Sequence, residues 1–448
     1  MKKIPFSFPA SPGFDAAAAV AAAIQRAGFA AYLVGGAVRD AVAGYPALDH
    51  DLATSARPEE LQQLFPELKT VGAAFGVSLL EYGGVALEIA TFREERNYLD
   101  GRHPELVRYT PDPAVDVRRR DFTVNALLYD PVAGEIVDCV DGVDDIRRGV
   151  IRTVGEPEER FGEDYLRMLR AIRFAARLGF DIDPATFRAI GKLAPLTAGL
   201  AVERVREELT GMLLGPAPAR AFRMLHDSGL LGVLLPEVAV LDSVEQPVEF
   251  HPEGNVFRHT LAMLEHLVAP SAELAWSVLL HDVGKAPAQS VDETGRIRFF
   301  GHEVVGAEIA EPILRRLRFA NESTEVIITA VRRHMHFAQV GNMKQSTLRK
   351  LLASPAFELE LELNRLDCLS SHGQLDAFVR LLDEVIAREG EVELPPPLLR
   401  GRDLVEAGFK PSPRFGAVLD ALYERQLNGE ITTAAEALAV AKRELAIR

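Results

Sequence analysis

The fold of this chain is decided by a short stretch near its start, Leu33-Val34-Gly35-Gly36-Ala37-Val38-Arg39-Asp40. Apolar residues lead into a Gly-Gly pair and then into a helical pattern, which predicts a strand, a tight turn and a helix. Glycines let a backbone approach phosphate groups closely, and a helix N-terminus adds amide donors and a positive dipole. We therefore expect Gly35 and Gly36 to hold phosphates, and Arg39 to contact phosphate oxygens.

Two aspartates follow in the segment Leu48-Asp49-His50-Asp51-Leu52. Residues two apart in a strand point to the same face, so we expect the carboxylates of Asp49 and Asp51 side by side. Adjacent carboxylates repel unless a cation lies between them, and Mg²⁺ binds a few carboxylates together with phosphate oxygens and water. Glu88, in a later predicted strand, is a candidate third carboxylate. A turn and a solvated loop would explain each motif alone, but their order favours metal-assisted phosphate chemistry.

A basic cluster introduces the next motif, Arg119-Arg120-Asp121-Phe122-Thr123-Val124-Asn125-Ala126. On its own, such a cluster is typical of a solvated basic turn. Together, this motif, LVGGAVRD and DHD resemble the class II tRNA nucleotidyltransferase and bacterial poly(A) polymerase superfamily. The resemblance implies that Arg120 and Asp121 help to bind the ribose and the triphosphate of a nucleotide.

A third motif runs from Glu163 to Arg173 and is predicted to form one helix. Its residues Asp164, Arg167, Arg170 and Arg173 recur every three positions, so they would follow one face. An aspartate beside an arginine matches the amino donor and ring acceptors of cytosine or adenine, whereas uracil and guanine would leave polar groups unpaired. Spacing alone equally fits an exposed helix with ion pairs. The resemblance implies base recognition by Asp164 and Arg167, and less specific nucleotide contacts by Arg170 and Arg173.

The polar segment from Phe92 to Arg120 contains a predicted mobile loop, residues 93–104. It resembles the flexible loop that allows members of this family to switch from C to A. Its presence argues against an enzyme that adds only CC. It leaves open whether such an enzyme would add all of CCA or only A.

Histidines and aspartates are spread over the later, helical part of the chain. Imidazoles and carboxylates from several helices can enclose a divalent metal. The order of these residues, with His-Asp-Val-Gly-Lys at 281–285, resembles the HD phosphohydrolase superfamily. The resemblance implies one metal set and a pair of histidines for a second ion, although an inactive HD fold is the competing interpretation. The first set is His259, His281, Asp282 and Asp367, and the pair is His302 and His334.

Composition sets limits on these interpretations. The 448 residues carry 50 basic and 65 acidic side chains, a net charge of −15, which by itself argues against binding nucleic acid. The stretch 160–177 has five arginines against two acids and is locally +3, so a basic groove remains compatible with RNA. The chain has two cysteines, no disulfide framework and no apolar run long enough for a membrane span, which predicts a cytoplasmic protein.

We therefore predict an α+β protein with a mixed-sheet nucleotidyltransferase head, an elongated all-α neck, an HD-type helical body and a helical tail. The predicted boundaries are 1–155, 156–235, 236–394 and 395–448. The expected partners are tRNA, ATP and CTP, without a membrane, and the oligomeric state stays open. The expected cofactors are Mg²⁺ in the head and, in the HD domain, Mg²⁺ or Ni, Mn, Co or Fe.

The resemblance implies addition of CCA to tRNA 3′ ends and an HD phosphatase or 2′,3′-cyclic phosphodiesterase activity. Addition of A alone, or poly(A) synthesis, is the alternative within the same class. Two other classes stay open: a phosphohydrolase whose head only binds RNA, and a non-catalytic RNA-binding protein.

Overall fold

The computed structural model describes residues 1–47, 49–71, 76–98, 104–247, 254–387 and 394–446. The chain divides into two compact units, Met1–Ala239 and Val240–Arg448. In the described residues, no helix is long and apolar enough to cross a membrane.

The first unit contains all of the larger sheet and a set of helices. Its strands are β1 (Lys2–Pro5), β2 (Ala31–Val34), β3 (Asp51–Thr54), β4 (Lys69–Thr70), β5 (Val77–Tyr82), β6 (Val85–Thr91), β7 (Arg93–Tyr98), β8 (Pro104–Tyr109), β9 (Leu128–Asp130), β10 (Glu135–Asp138), β11 (Val150–Ile151) and β12 (Asp181–Ile182). Its helices are α1 (Pro12–Arg26), α2 (Gly36–Ala43), α3 (Pro58–Leu64), α4 (Pro113–Arg118), α5 (Gly142–Arg148), α6 (Pro157–Glu163), α7 (Leu166–Leu178), α8 (Pro184–Leu193), α9 (Val202–Leu213), α10 (Pro218–Asp227), α11 (Leu230–Leu234) and α12 (Pro236–Ala239).

The sheet of the first unit is mixed, as predicted. Its eight strands follow the order β1-β10-β9-β2-β3-β6-β5-β4. Strand β3 is antiparallel to β2, where Val34 faces Asp51, and parallel to β6, where Leu52 faces Ile89. This register brings the end of β2, with its Gly-Gly turn, next to Asp51 and one strand away from Glu88.

Short β-rich runs in the sequence predict strands at Val77–Tyr82, Val85–Thr91, Phe122–Tyr129 and Glu135–Asp138. Strands Val77–Tyr82, Val85–Thr91 and Glu135–Asp138 occur where expected. A continuous strand from Phe122 to Tyr129 is wrong. Phe122 makes only an isolated bridge to Thr153, residues Thr123–Asn125 form a 3₁₀ turn, and strand β9 then begins. The Thr123 side chain donates to Asp145 (2.7 Å), a polar contact that draws the backbone out of the extended pattern.

The described residues of the segment predicted as a loop at 93–104 lie instead in two paired strands. Strands β7 and β8 pair from Arg93 with Tyr109 to Tyr98 with Pro104. An ion pair joins Arg93 and Glu95 (2.6 Å), two residues apart on one face. The connection, residues 99–103, lies outside the described residues.

The helix predicted from Glu163 to Arg173 is broken. Helix α6 ends at Glu163, Asp164 is extended (φ −150°, ψ 107°), and α7 begins at Leu166. The Asp164 carboxylate accepts from the Leu166 backbone N–H (3.0 Å), so this side chain caps α7 instead of continuing α6. The apolar residues among the arginines of this segment predict a buried helix face, and all of its members are buried: Leu166, Leu169, Ile172, Phe174 and Ala176.

The second unit is helical apart from a small hairpin of β13 (Ser290–Val291) and β14 (Ile297–Arg298). A helical body after a mixed-sheet head confirms the predicted fold class, while the four domain boundaries stay predictions. The helices of this unit are α13 (Val256–Glu265), α14 (Ala272–Leu280), α15 (Lys285–Ala288), α16 (His302–Arg316), α17 (Asn321–Arg333), α18 (Gln345–Leu352), α19 (Phe357–Ser370), α20 (Asp376–Ala387), α21 (Gly401–Glu406), α22 (Arg414–Leu427) and α23 (Ala434–Ala446).

Close packing of α5 against the 3₁₀ turn supplies a test of this fold. A Cβ atom at Gly142 would lie 2.2 Å from the carbonyl oxygen of Thr123, whereas one at Gly232 would meet nothing within 4 Å. Gly142→Ala is expected to lower the free energy of unfolding of the first unit by about 1–3 kcal/mol, because the backbone must shift. Gly232→Ala, within α11, is the matched control and is expected to be neutral or stabilising by about 0.5–1 kcal/mol. Equal denaturant midpoints for both variants would contradict this packing.

Candidate active sites

The turn between β2 and α2 requires glycine. Gly35 has φ 70° and ψ −133°, a conformation that residues with a Cβ rarely adopt. Two guanidinium groups flank the turn: a Cβ at Gly35 would lie 3.8 Å from Nη1 of Arg120, and one at Gly36 would lie 3.6 Å from Nη2 of Arg39. The turn therefore combines an open backbone, the start of a helix and a positive environment, which suits a phosphate group.

Three carboxylates gather beside this turn. Asp51 begins β3, and the register of β3 with β6 places Glu88 on the neighbouring strand, on the face opposite to buried Leu52 and Ile89. Asp49 precedes the strand, so the expectation that Asp49 and Asp51 share one strand is wrong. Burial, then Glu88 and Asp49, raise the pKa of Asp51 to about 6, while Arg120 opposes the rise. A divalent cation among these oxygens would relieve that repulsion.

The side chain of His50, between the two aspartates, points away from their carboxylates. It is buried, lies 3.5 Å from the Ser11 hydroxyl and packs against Phe8 at 6.2 Å between ring centroids. A Cβ at Gly13 would come within 2.6 Å of its ring. Anchoring of His50 against the N-terminal segment fixes the opposite direction for its neighbours.

A chain of hydrogen bonds links the turn to α7. Arg39 donates to the Asn125 amide oxygen (2.6 Å), the Asn125 amide donates to Asp121 (3.1 Å), and Arg170 donates to the other oxygen of Asp121 (2.9 Å). Arg39 is only 3% exposed and also contacts Asp40 (2.7 Å). These bonds fix Arg39 beside the turn, and its contact with phosphate oxygens stays a prediction. Asn125 is the link that sequence reasoning missed, although it lies within the quoted motif.

Arg120 differs from Arg39 because part of its guanidinium is unsatisfied. It donates to Asp116 (3.2 Å), but its buried Nε has no hydrogen-bond partner in the described part of the chain. Burial lowers its pKa, against the opposing effect of Asp116. Its Nη1 atom lies near Gly35, and its charge opposes the rise in the pKa of Asp51, so this guanidinium is suited to an anion at the turn.

The arginines of α7 do not form a bare basic surface. Each of them has an acidic partner, and three guanidinium groups surround the ring of Phe174 at 5.0–5.3 Å, those of Arg39, Arg170 and Arg173. The local excess of positive charge seen in the sequence is therefore largely neutralised inside the fold. The pairs are Arg167–Glu163, Arg170–Asp121, Arg173–Glu208 and Arg177–Asp40.

Asp164 and Arg167 lie at the joint between α6 and α7. Asp164 is paired with Arg204 of α9 (2.7 Å), and Arg167 with Glu163. Arg204 is a residue that no local pattern could have identified, because it lies 40 positions from Asp164.

The second unit contains a histidine cluster with fixed ring orientations. The Nδ1 atoms of His281, His302 and His334 lie 2.8, 2.8 and 2.7 Å from backbone carbonyl oxygens three residues earlier. A carbonyl can only accept, so these Nδ1 atoms carry protons in the neutral rings. Each Nε2 atom then offers a lone pair, which is the form that binds a metal.

These Nε2 atoms converge on Asp282. Its oxygens lie 3.0 Å from His281, 3.3 Å from His302 and 3.8 Å from His334. The Nε2 atoms of His302 and His334 are 3.2 Å apart, and a bound cation would relieve the repulsion between two facing lone pairs. Within the described residues, ligand atoms lie close enough for a metal in two groups that share Asp282: His259, His281, Asp282, and Asp282, His302, His334. Asp367, the fourth residue of the predicted set, lies 3.1 Å from His259 but belongs to neither group.

A pocket of about 360 Å³ opens over this cluster. Lys285 is among its lining residues, and it is buried and bound to Asp282 (2.7 Å) and Gln246 (2.6 Å). Sequence reasoning missed the remaining cationic and aromatic lining of the pocket. These lining residues are Arg296, Arg298, Phe299, Phe300 and His372.

Comparison with known proteins finds the families that the sequence motifs resemble. Residues 31–152 match the Poly A polymerase head domain, 179–241 the "Probable RNA and SrmB- binding site of polymerase A", and 256–365 the HD domain. A CCA-adding enzyme from Leuconostoc mesenteroides is 32% identical over 93% of this chain and 92% of that protein. The Geobacillus stearothermophilus CCA-adding enzyme is 39% identical over 64% of this chain and 70% of its own length. The crystal structure of the Bacillus stearothermophilus CCA-adding enzyme in complex with CTP superposes with a TM-score of 0.73, at 28% identity, over 98% of this chain and 99% of that one.

The raised pKa of Asp51 predicts the pH dependence of metal binding in the head. Asp51, with a pKa of about 6 in the metal-free protein, is charged above that pH and protonated below it. A cation must then displace a proton, so Mn²⁺ affinity is expected to fall by about tenfold per pH unit below pH 6. Free Mn²⁺ is measured by electron paramagnetic resonance in a His281→Ala background, which weakens the second candidate site. Asp51→Asn, the control, should bind weakly at every pH; an unchanged affinity down to about pH 5 would contradict the assignment.

Proposed function

Because this chain belongs to the family of CCA-adding enzymes, we propose that it transfers nucleotides from CTP and ATP to the 3′ end of tRNA. One observation carries the proposal: the Gly35-Gly36 turn, which suits phosphates, lies beside the acidic cluster of Asp49, Asp51 and Glu88. The similarity to a CCA-adding enzyme in complex with CTP supports nucleotide binding in the head.

In the proposed reaction, the 3′-hydroxyl of the RNA attacks the α-phosphorus of the nucleotide. A bond from the 3′-oxygen to phosphorus forms, the bond to pyrophosphate breaks, and the hydroxyl proton passes to solvent. Gly35 and Gly36 would admit the triphosphate, and the unsatisfied Nε of Arg120 would donate to it. Asp121, held by Asn125 and Arg170, would position the ribose.

Asp49, Asp51 and Glu88 would hold Mg²⁺, since their oxygens match its ligand preference. When bound, Mg²⁺ favours ionisation of the attacking hydroxyl and neutralises charge on the departing pyrophosphate. A cytoplasmic location, where both nucleotides and tRNA occur, is part of the proposal.

Base selection is assigned to Asp164 and Arg167, with Arg170 and Arg173 nearer the remainder of the nucleotide. An ionised carboxylate accepts from the amino group that cytosine and adenine share, and a guanidinium donates to their ring acceptors. Uracil and guanine present a carbonyl at the corresponding position and would face the carboxylate with an acceptor. This logic fits CCA addition and equally fits addition of A alone, so the two are separated by experiment.

The test offers tRNAs that end before CCA, after C and after CC, with CTP and ATP supplied separately. The first two are expected to incorporate C, and the third A. Asp49→Asn should reduce incorporation by roughly 100-fold or more, because the cation loses a ligand. His281→Ala, in the other unit, is the matched control and should retain incorporation. Incorporation of A alone, and only onto the tRNA ending in CC, would overturn full CCA addition.

We also propose a phosphohydrolase activity for the second unit, either a phosphatase or a 2′,3′-cyclic phosphodiesterase. The supporting observation is the convergence of oriented imidazole Nε2 atoms on Asp282 beneath a pocket with cationic walls. His259, His281, Asp282 and Asp367 would hold one ion, and His302 with His334 a second. Imidazole ligands favour Ni, Mn, Co or Fe, although Mg²⁺ is also compatible with the carboxylates. When bound, such an ion supplies an activated water at neutral pH.

Hydrolysis of 2′,3′-cyclic AMP and of p-nitrophenyl phosphate tests this second activity. Activity is expected to disappear in His281→Ala and after chelation, and to return when Ni²⁺ or Mn²⁺ is restored to the wild type. Asp49→Asn should hydrolyse both substrates at the wild-type rate. Hydrolysis that persists unchanged in His281→Ala would exclude the cluster as its source.

A further inference from the structure

Asp164 and Arg167, the two residues assigned to base selection, are each held by a neighbour of opposite charge. Asp164 and Arg167 do not contact each other among the ion pairs of the described residues. Arg167 instead contacts Glu163 and the backbone carbonyl oxygens of Arg160 (2.9 Å) and Arg119 (3.1 Å). Arg204 donates to both oxygens of Asp164, at 3.3 Å and 2.7 Å. Each reading side chain therefore has its own partner of opposite charge.

Without Arg204, little would hold the Asp164 carboxylate. Its other contact is the Leu166 backbone N–H on Oδ1, and the chain at Asp164 is extended between two helices. Arg167 follows one turn later, at a spacing where an aspartate and an arginine attract each other. A direct Asp164–Arg167 pair would occupy the acceptor and the donors that a base needs.

The position of Arg204 also calls for an explanation. It lies in the first turn of α9, where its backbone N–H bonds to Ala201, and a cation at that end is disfavoured by the helix dipole. The side chains of Arg204 and Asp164 are only 24% and 18% exposed, so their attraction is less screened than at the surface. One turn later on the same face, Glu208 binds Arg173 of α7 (2.8 Å). Helix α9 thus presents a cation and an anion that match the α6–α7 joint.

We propose that Arg204 is a positioning residue for nucleotide selection. It holds the Asp164 carboxylate in a fixed orientation, and it prevents Asp164 from pairing with Arg167. The inference rests on the proposed function, because it concerns which base the head accepts. Oδ2 of Asp164 keeps a free lone-pair direction for an amino group, since a carboxylate oxygen can accept more than one hydrogen bond.

The test compares single-nucleotide incorporation of CTP with UTP, and of ATP with GTP, by wild type and Arg204→Met. The variant is expected to raise KM for CTP and for ATP by roughly tenfold to a hundredfold, the effect of losing a charged hydrogen bond. The preference for CTP over UTP, and for ATP over GTP, should fall by a similar factor. The KM for tRNA should stay within a few-fold of the wild-type value. Arg204→Lys keeps the positive charge but lacks the planar set of N–H donors of a guanidinium. It should therefore show a smaller loss of discrimination. Arg223→Met, an exposed arginine on α10, is the matched control and should behave as wild type.

A double-variant cycle separates positioning from a direct contact. If Arg204 acts through Asp164, Asp164→Asn combined with Arg204→Met should discriminate no worse than Asp164→Asn alone. Multiplicative losses would overturn the proposal, and so would an Arg204→Met variant that weakens all four nucleotides equally or leaves discrimination intact. Thermal melting checks that the variants are folded. If Arg204→Met is not folded, the comparison is made with Arg204→Lys. If the wild-type protein incorporates neither CTP nor ATP, the proposed function is refuted. That result differs from a failure of the present inference, in which the variants incorporate nucleotides with wild-type discrimination.

Discussion

The head depends on one buried carboxylate, that of Asp121. It accepts hydrogen bonds from the Phe122 backbone (2.8 Å), from the Asn125 amide and from Arg170. Burial alone would raise its pKa, but Arg170 and these hydrogen bonds lower it overall, so the group stays ionised. A buried anion is tolerated only when its partners are complete, and removal of one partner typically costs about 3–5 kcal/mol. The sheet, the Gly-Gly turn and α7 are therefore assembled around the same charge.

This constraint explains how an acidic protein can contain an arginine-rich helix in a candidate nucleotide site. Free arginines would attract any polyanion, whereas arginines already paired with Glu163, Asp121, Glu208 and Asp40 have fixed positions and little excess charge. Donors in fixed positions discriminate between bases, because they cannot move to form hydrogen bonds with a mismatched base. Pairing in the free protein thus favours selectivity over bulk electrostatic attraction.

Local patterns in the sequence predicted what depends on neighbours along the chain. Alternating residues located β5 and β6, and the Gly-Gly pair located the turn before α2. The same reasoning failed at Asp164, because a capping hydrogen bond to Leu166 competes with helix continuation and leaves no periodic signal. It also did not identify Asn125, the partner of Arg39 that lies 86 residues away, or Arg204, since such pairings arise only from tertiary packing. The histidine cluster was recognised by residue type, but its ring orientation depends on backbone carbonyls that no motif records.

The two candidate metal sites differ in ways that favour different ions. In the head, the candidate ligands are carboxylate oxygens around a partly buried Asp51 whose pKa is raised. A cation there must compete with a proton and with water for the Asp51 carboxylate. Such a site is suited to a hard ion that arrives with a triphosphate and leaves with pyrophosphate. In the second unit, buried imidazoles with anchored Nδ1 atoms surround Asp282, whose pKa is lowered despite its burial because of His281 and Lys285. Ligands that are already oriented lose little conformational freedom on binding, so this site favours an ion that stays between turnovers.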